Sequence, residues 1–240
     1  ESKILAGGQT LIPTMKQRLA SPSTLIDISG INELNFINDN GDTITIGATT
    51  THNEVLSSEI VQNKIPSLAA LAEGIGDPHV RNMGTIGGSI SNNDPTADYP
   101  TACLSLKAKI KTNKREISAE DFFVGLFETA LEENEIVISI EFCIPQKASY
   151  MKFPNPASRY AMAGVYVAVF GDGINVSVTG ASENGVFKWT EMEEALTDEL
   201  TIEKAKSIKL SSEGVMSDIH ADSAYRARYR SSDKQAASAS

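Results

Sequence analysis

The chain has 240 residues and a formal net charge of −10. That length supports a sizeable hydrophobic core, and the acidic balance, with no basic cluster beyond short groups such as Lys111–Arg115, argues against nucleic acid as a partner. No apolar run approaches the roughly 20 residues that span a bilayer.

The chain opens on ESKILAGGQTLIP, without Met, positive leader or apolar leader. No secretory signal is expected there, and the natural N-terminus is expected to lie upstream. Lys3–Leu5 reads as a strand and AGGQT as a loop. Leu11–Leu19 carries Leu11, Ile12, Met15 and Leu19 at helical spacing, and Thr24–Asp27 reads as a second strand. Residues 34–47 alternate around a DNGD turn, which predicts a hairpin. Thr50–Ser57 is a short helix by composition, and Ile65–Ile75 is an Ala/Leu-rich helix with Pro66 in its first turn.

Gly84–Asp98, GTIGGSISNNDPTAD, reads as one long loop that cannot bury much apolar surface. A helix over Tyr99–Leu106 and strands around Ala108–Thr112 and Ile136–Phe142 follow. Gln146–Ser149 reads as a link to a new unit. Strands are expected at Tyr150–Phe153, Ala161–Phe170, Ile174–Gly180 and Val186–Lys188, with a hairpin turn at Asp172–Gly173. Two charged helices, Glu191–Leu196 and Ile202–Ile208, lead to SDIHADSAYRARYR and a Ser/Ala tail expected to be disordered. Glu191–Glu194 reads as a solvated helix face. The element order predicts an α+β protein with at least two subdomains.

Cys103 and Cys143 sit in apolar contexts without CxxC spacing, so both read as buried reduced thiols. Two cysteines cannot ligate an iron–sulfur cluster, which needs about four. His52, His79 and His220 are too scattered for a metal site, and none is proposed. His79-Val80-Arg81-Asn82 reads as a surface stretch or as a support for the loop after it. No GxSxG elbow accompanies these histidines, so serine hydrolysis is not supported.

Two glycine stretches share one design: Ala6-Gly7-Gly8-Gln9-Thr10 and Thr85-Ile86-Gly87-Gly88-Ser89, the second running on into Ile90-Ser91-Asn92-Asn93-Asp94. Paired glycines let the backbone approach a bulky group, and consecutive N–H groups form a concavity for anions. The hydroxyls of Thr10, Thr85 and Ser89 add donors. The plainer reading of each stretch is a turn; the pair of them points instead to a diphosphate. Neither GxGxxG nor GxxxxGK[ST] occurs, so the Rossmann and Walker loops are excluded. Asp94 and Asp98 read as loop-capping and cofactor-orienting groups rather than an acid–base pair. Tyr160 and Tyr166, in RYAMAGVY, read equally as core residues or as neighbours of a flat cofactor ring.

The stretches AGGQTLIPTMKQRLASPSTLIDI, RNMGTIGGSISNNDPTADYPTACLSL and KFPNPASRYAMAGV resemble the FAD-binding medium subunits of the molybdenum hydroxylases, the xanthine oxidase family, of the carbon monoxide dehydrogenase type. The resemblance runs over nearly the whole chain. It implies a vanillyl-alcohol oxidase type of FAD-binding fold: two α/β subdomains and a C-terminal three-stranded antiparallel sheet with helices. The implied division is residues 1–31 (part of a first subdomain), 32–146, 150–230 and a tail, 231–240. By position, Ala6–Thr10 and Thr85–Ser89 would cradle the diphosphate, with Leu11, Asn93 and Asp94 beside them. Asp98 would accept hydrogen bonds near the flavin, Val137 would pack on the cofactor, and Lys152 lies near a family lysine that reaches it. The tail YRARYRSSDKQAASAS departs from the family pattern of an apolar helix ending in basic residues.

The resemblance further implies a cytoplasmic relay subunit with no catalytic residue of its own, peripheral at most to the inner face of a membrane. Its partners would be a molybdenum large subunit and a small subunit carrying iron–sulfur (2Fe–2S) clusters, in a dimer of heterotrimers. Electrons would pass through FAD to an external acceptor. A self-sufficient FAD-dependent oxidase or reductase and a flavin-free assembly module are the alternatives.

Overall fold

The computed structural model describes residues 2–208. The segment SDIHADSAYRARYR with His220, the Ser/Ala tail and the departure from the family pattern lie outside them.

Strands β1 (Ser2–Leu5) and β2 (Thr24–Asp27) pair in parallel, with helix α1 (Leu11–Lys16) in the crossover between them. The helix stops short of Leu19 because Arg18 takes a left-handed φ of 60°, a conformation that ends helices. Leu19 is left exposed.

The hairpin β3 (Ile37–Asp39) and β4 (Thr43–Gly47) follows. Its turn is closed by Gly41, at φ +91° and donating to Asp39 at 2.8 Å. Helix α2 (His52–Ser57) starts at a reciprocal cap in which Thr51 and Glu54 satisfy each other's backbone N–H groups. Then come α3 (Glu59–Lys64), α4 (Pro66–Glu73), α5 (Pro78–Met83), α6 (Ile86–Asn92) and α7 (Tyr99–Ser105). Neither α3 nor α5 is expected from periodicity; each is two turns or less, started by a Ser58 or Asp77 side-chain cap.

The glycine-rich run is not one loop, since α6 occupies its middle. Thr85 caps the helix by accepting from Gly88 at 3.1 Å, while Ile86 and Ile90, four apart, bury one face completely.

Strands β5 (Lys109–Thr112) and β6 (Glu116–Ser118), helix α8 (Ala119–Phe122), the hairpin β7 (Phe123–Gly125) and β8 (Glu128–Thr129), and strand β9 (Val137–Cys143) complete this part. The sheet order is β3-β4-β9-β5-β6, antiparallel throughout. Ile44, Ile46, Ile140 and Phe142 point from it into a core shared with Leu68, Leu71, Ile86 and Ile90 of the helices, all fully buried. Each such side chain contributes roughly 1.5–3 kcal/mol of transfer free energy.

A second antiparallel sheet contains β10 (Lys147–Pro154), β11 (Ala161–Phe170), β12 (Gly173–Thr179) and β13 (Phe187–Lys188). It has the four strands read from the sequence, where the resemblance implies three; the fourth, expected at Val186–Lys188, is a two-residue edge. Lys147–Ser149 belongs to β10 rather than to a link. The main core runs across this join, because Tyr166 and Ala168 of β11 are buried in it and Tyr166 meets Ser67 of α4 at 2.6 Å. A smaller core, with Val176, Val178, Trp189 and Leu196, lies under α9 (Thr190–Asp198). Glu193 is not a solvated residue of α9: it accepts from the Val176 N–H at 2.8 Å. Helix α10 (Ile202–Ser207) ends the described chain. Cys103 is buried, but Cys143, the last residue of the central strand β9, is only partly so. The architecture is mixed α+β, and no helix among the described residues is long and apolar enough to cross a membrane.

Candidate functional site

A cleft of about 850 Å³ opens between the β1-α1-β2 unit and the helical side of the larger sheet, a size within the usual ~300–1,000 Å³ of small-molecule sites. Ala6 to Leu11 form one wall, and Thr85, Gly87, Gly88, Ser89, Asp94 and Asp98 the other; Val137 and Lys152 close it. Fourteen of the sixteen residues singled out from the sequence therefore line one cleft.

The remaining two do not. Ile86 is fully buried in the core, where four-residue spacing with Ile90 sends it. Asn93 takes a left-handed φ of 43° and turns its amide away, donating to the carbonyls of Gly125 and Glu128 at 2.8 Å each. It clamps the β7–β8 hairpin to the end of α6.

The two glycine stretches do different work. In the first, the N–H groups of Gly7, Gly8, Gln9 and Thr10 donate to no protein acceptor among the described residues. The Gln9 side chain braces the stretch by donating to the Gly7 carbonyl at 3.2 Å. Four such groups at the cleft wall can hold anionic oxygens without a lysine or arginine.

In the second, Ile86 donates to Thr50, Gly87 to Ala48, Gly88 to the Thr85 hydroxyl and Ser89 to the Thr85 carbonyl, all within 3.1 Å. An open N–H concavity expected here is thus absent, because the carbonyls of Ala48 and Thr50 take two of those donors and the Thr85-capped helix start takes the other two. Its glycines instead allow close approach: a Cβ on Gly87 would lie 2.6 Å from Ala48. The two stretches meet where Gly7 abuts Met83 and Gly84.

Asp94 caps its own turn, its Oδ1 accepting from the Thr96 N–H at 2.8 Å and hydroxyl at 2.6 Å. Asp98 does not cap α7. It faces β10, accepting from Tyr150 and, at 2.9 Å, from Lys152. Burial pushes its carboxyl above the ordinary value, opposed by the Lys152 charge and these bonds. Tyr160 lines the cleft and is half exposed, whereas Tyr166 belongs to the core.

Several cleft residues escape sequence reasoning. His52 is buried there, its Nδ1 without a partner among the described residues, its ring 5.4 Å from that of Tyr99. The Tyr99 hydroxyl is likewise unpartnered. Burial, aided by the Arg81 charge, pulls the imidazole pKa down to about 4. Glu135 lines the far end. It accepts from Arg115 Nε at 3.0 Å, Thr112 at 2.7 Å and the Glu132 N–H at 2.8 Å. These bonds, Arg115 foremost, hold its carboxyl down at about 2. Of the His79–Asn82 stretch, Arg81 braces the turn before the cleft through the Ile75 and Gly76 carbonyls, at 3.1 Å each, while His79 is exposed. Only the tertiary fold brings these groups together; none stands at a spacing that marks it.

The cleft fits a dinucleotide cofactor by its donor set: a run of unengaged backbone N–H groups for phosphate oxygens at one side, apolar Val137 in the wall, and the Asp98–Lys152 pair. Residues 1–146 match the family described as the FAD binding domain in molybdopterin dehydrogenase. The chain is 42% identical to the glyceraldehyde dehydrogenase medium chain of Sulfolobus acidocaldarius, over 69% of this chain and 61% of that one. It is 40% identical to the carbon monoxide dehydrogenase medium chain of Hydrogenophaga pseudoflava, over 74% and 64%. It thus spans less than two thirds of the length of these curated relatives. Among solved structures, the carbon monoxide dehydrogenase of H. pseudoflava lacking the Mo-pyranopterin moiety superposes with a TM-score of 0.85 at 33% identity, covering 96% of this chain and 85% of the other. Quinoline 2-oxidoreductase from Pseudomonas putida gives a TM-score of 0.87 at 26% identity, with the same coverage.

Proposed function

Because the chain belongs to the family of FAD-binding domains in molybdopterin dehydrogenases, of the carbon monoxide dehydrogenase medium-chain type, we propose that it is the electron-relay subunit of a molybdenum hydroxylase. In this reading its partners are a molybdenum large subunit and an iron–sulfur small subunit, in a dimer of heterotrimers within the cytoplasm. The large subunit chooses the substrate. The proposal includes the vanillyl-alcohol oxidase type of fold and the division at residues 31, 146 and 230.

FAD supplies the acceptance and release of electrons; the protein supplies binding, orientation and electrostatics. The N–H groups of Gly7–Thr10 would hold the diphosphate, with the hydroxyls of Thr10 and Ser89 as further donors. Gly87 and Gly88 would let the α6 backbone come close, and Val137 would pack against the ring system. Asp98 and Lys152 would present fixed polar groups to it. No residue is assigned general acid or base work, and none is named catalytic. The observation that carries the reading is the unengaged N–H run of Gly7–Thr10 on one wall of the cleft, facing Ser89, Asp98 and Lys152.

The test is an anaerobic absorption titration of the full-length protein, alone and with its neighbouring subunits. Flavin bands bleached only in the assembly, by the assembly's substrate, are expected. Bleaching of the lone chain by a small organic substrate would favour a self-sufficient oxidoreductase. Absence of flavin from both samples would overturn both readings.

A further inference from the structure

Asp98 gives both carboxylate oxygens to β10. Tyr150 donates its phenol proton to Oδ1, and Lys152 donates to Oδ2 at 2.9 Å. Two residues apart on the strand, Tyr150 and Lys152 leave the same face. Lys152 is fixed further by donating to the Gly74 carbonyl at 3.1 Å. Asp98 and Lys152 line the cleft, whereas Tyr150 stands behind them with its ring 5.9 Å from that of Tyr166.

We propose that Tyr150 is a positioning residue that keeps Asp98 ionised, so that the Lys152 ammonium at the cleft wall stays neutralised, and that it thereby sets the electrostatic field felt by a bound flavin. This rests on the flavin-binding reading above and concerns the field in the cleft rather than affinity.

A carboxylate buried to 5% exposure is held charged only by what it is paired with. Removal of the Tyr150 hydroxyl leaves Oδ1 without its donor, and taking up a proton becomes the easier way to relieve that atom. Protonation of Asp98 then leaves the Lys152 charge uncompensated. An added positive charge at the wall favours whichever state of the ligand is more negative, which for a flavin is the reduced one, so the reduction potential rises.

The other groups facing Asp98 do not reproduce this. Tyr99, on its own helix, and Tyr160, ahead of β11, have hydroxyls pushed up by burial first and by the Asp98 charge, so both stay neutral. His52, against Tyr99, is held down at about 4. Arg159 lines the same cleft and donates to Gly76 at 3.1 Å as a constant cation. Asp94 is engaged with Thr96.

The test is spectroelectrochemical titration of the full chain loaded with FAD, over roughly pH 5 to 9, for the wild type, Tyr150→Phe and Asp98→Asn. Tyr150→Phe is expected to keep its FAD and to show a step in which the potential rises as pH falls, its inflection about one to two pH units above any wild-type step. Asp98→Asn is expected to show a raised potential with no step. Failure of the wild type to take up FAD overturns the flavin reading and this inference with it. FAD uptake with wild-type potentials in Tyr150→Phe across the range overturns this inference alone. If Tyr150→Phe gives no folded chain, Asp98→Asn decides: a raised, step-free potential supports the proposal and a wild-type potential overturns it.

Discussion

Gly7 lies so close against Met83 that a methyl on its Cα would overlap the Met83 carbonyl, with the carbonyl carbon 2.7 Å away. The neighbouring backbone cannot move aside cheaply. Gly84 donates to Val80 at 2.7 Å, and its carbonyl accepts from His52 at 2.9 Å. The wall formed by Ala6–Leu11 is therefore seated on the segment between α5 and α6.

Gly7→Ala is expected to unseat that wall. FAD affinity should fall at least tenfold, or about 1.4 kcal/mol, as read by flavin retention on gel filtration and by fluorescence titration. The β4–β9 core lies away from this contact, so the far-ultraviolet circular dichroism should change little. Wild-type affinity in the variant would show that the wall relaxes without Gly7.

Gly87 and Gly88 are adjacent but should respond differently. A Cβ on Gly87 would lie 2.6 Å from the Ala48 side chain and carbonyl, in the core. Overpacking of this kind costs about 1–3 kcal/mol, so Gly87→Ala should lower the thermal midpoint by several degrees. A Cβ on Gly88 would meet only the Thr85 hydroxyl, at 2.9 Å, and Gly88 faces outward. Gly88→Ala should alter FAD binding more than melting; calorimetry beside FAD titration separates the two.

That contrast marks the limit of what spacing reveals. Local signals worked where the chain itself sets the structure: β2 and β11 are read at their observed bounds, and Pro66 does start α4. Gathering the two glycine stretches in one cleft was also legible, because each alone reads as a turn but two of matching composition point to one anionic group. Their chemistry was not. Whether the N–H of Gly87 is open depends on Ala48, thirty-nine positions earlier, and no local pattern carries that. The burial of His52 and the turning of Asp98 toward β10 are tertiary in the same way. Helix α6 was hidden for another reason: Gly, Ser and Asn are poor helix formers, and packing of Ile86 and Ile90 overrides them.

Asn93→Ala is expected to weaken the fold while sparing the cofactor. The change removes two donors from the carbonyls of Gly125 and Glu128, with a loss of about 1–3 kcal/mol. It also places Ala at a left-handed φ, which costs roughly a further 1–2 kcal/mol. Hydrogen exchange should rise in the β7–β8 hairpin, and FAD affinity should stay within a few-fold. A large loss of affinity with an unchanged urea midpoint would return Asn93 to the binding wall.

His52 should impose a pH dependence on stability. Its folded pKa, about 4, lies below the unfolded value of about 6.5. The unfolded chain therefore binds a proton in that interval that the folded chain refuses, and stability must rise with pH across it. The contribution is complete above about pH 6.5 and is lost as the pH falls toward 4, in total roughly 3 kcal/mol. Urea midpoints at successive pH values should trace that limb in the wild type. His52→Phe replaces the ring with one that takes no proton, so its limb between pH 6.5 and 4 should be markedly flatter. Glu135, held down at about 2 by Arg115, keeps its contribution whole above its own unfolded value of about 4.3 and loses it only as the pH falls below that, so the two limbs separate. An undiminished slope in His52→Phe would assign the acid sensitivity to other groups and would mean that the imidazole finds a proton acceptor when it charges.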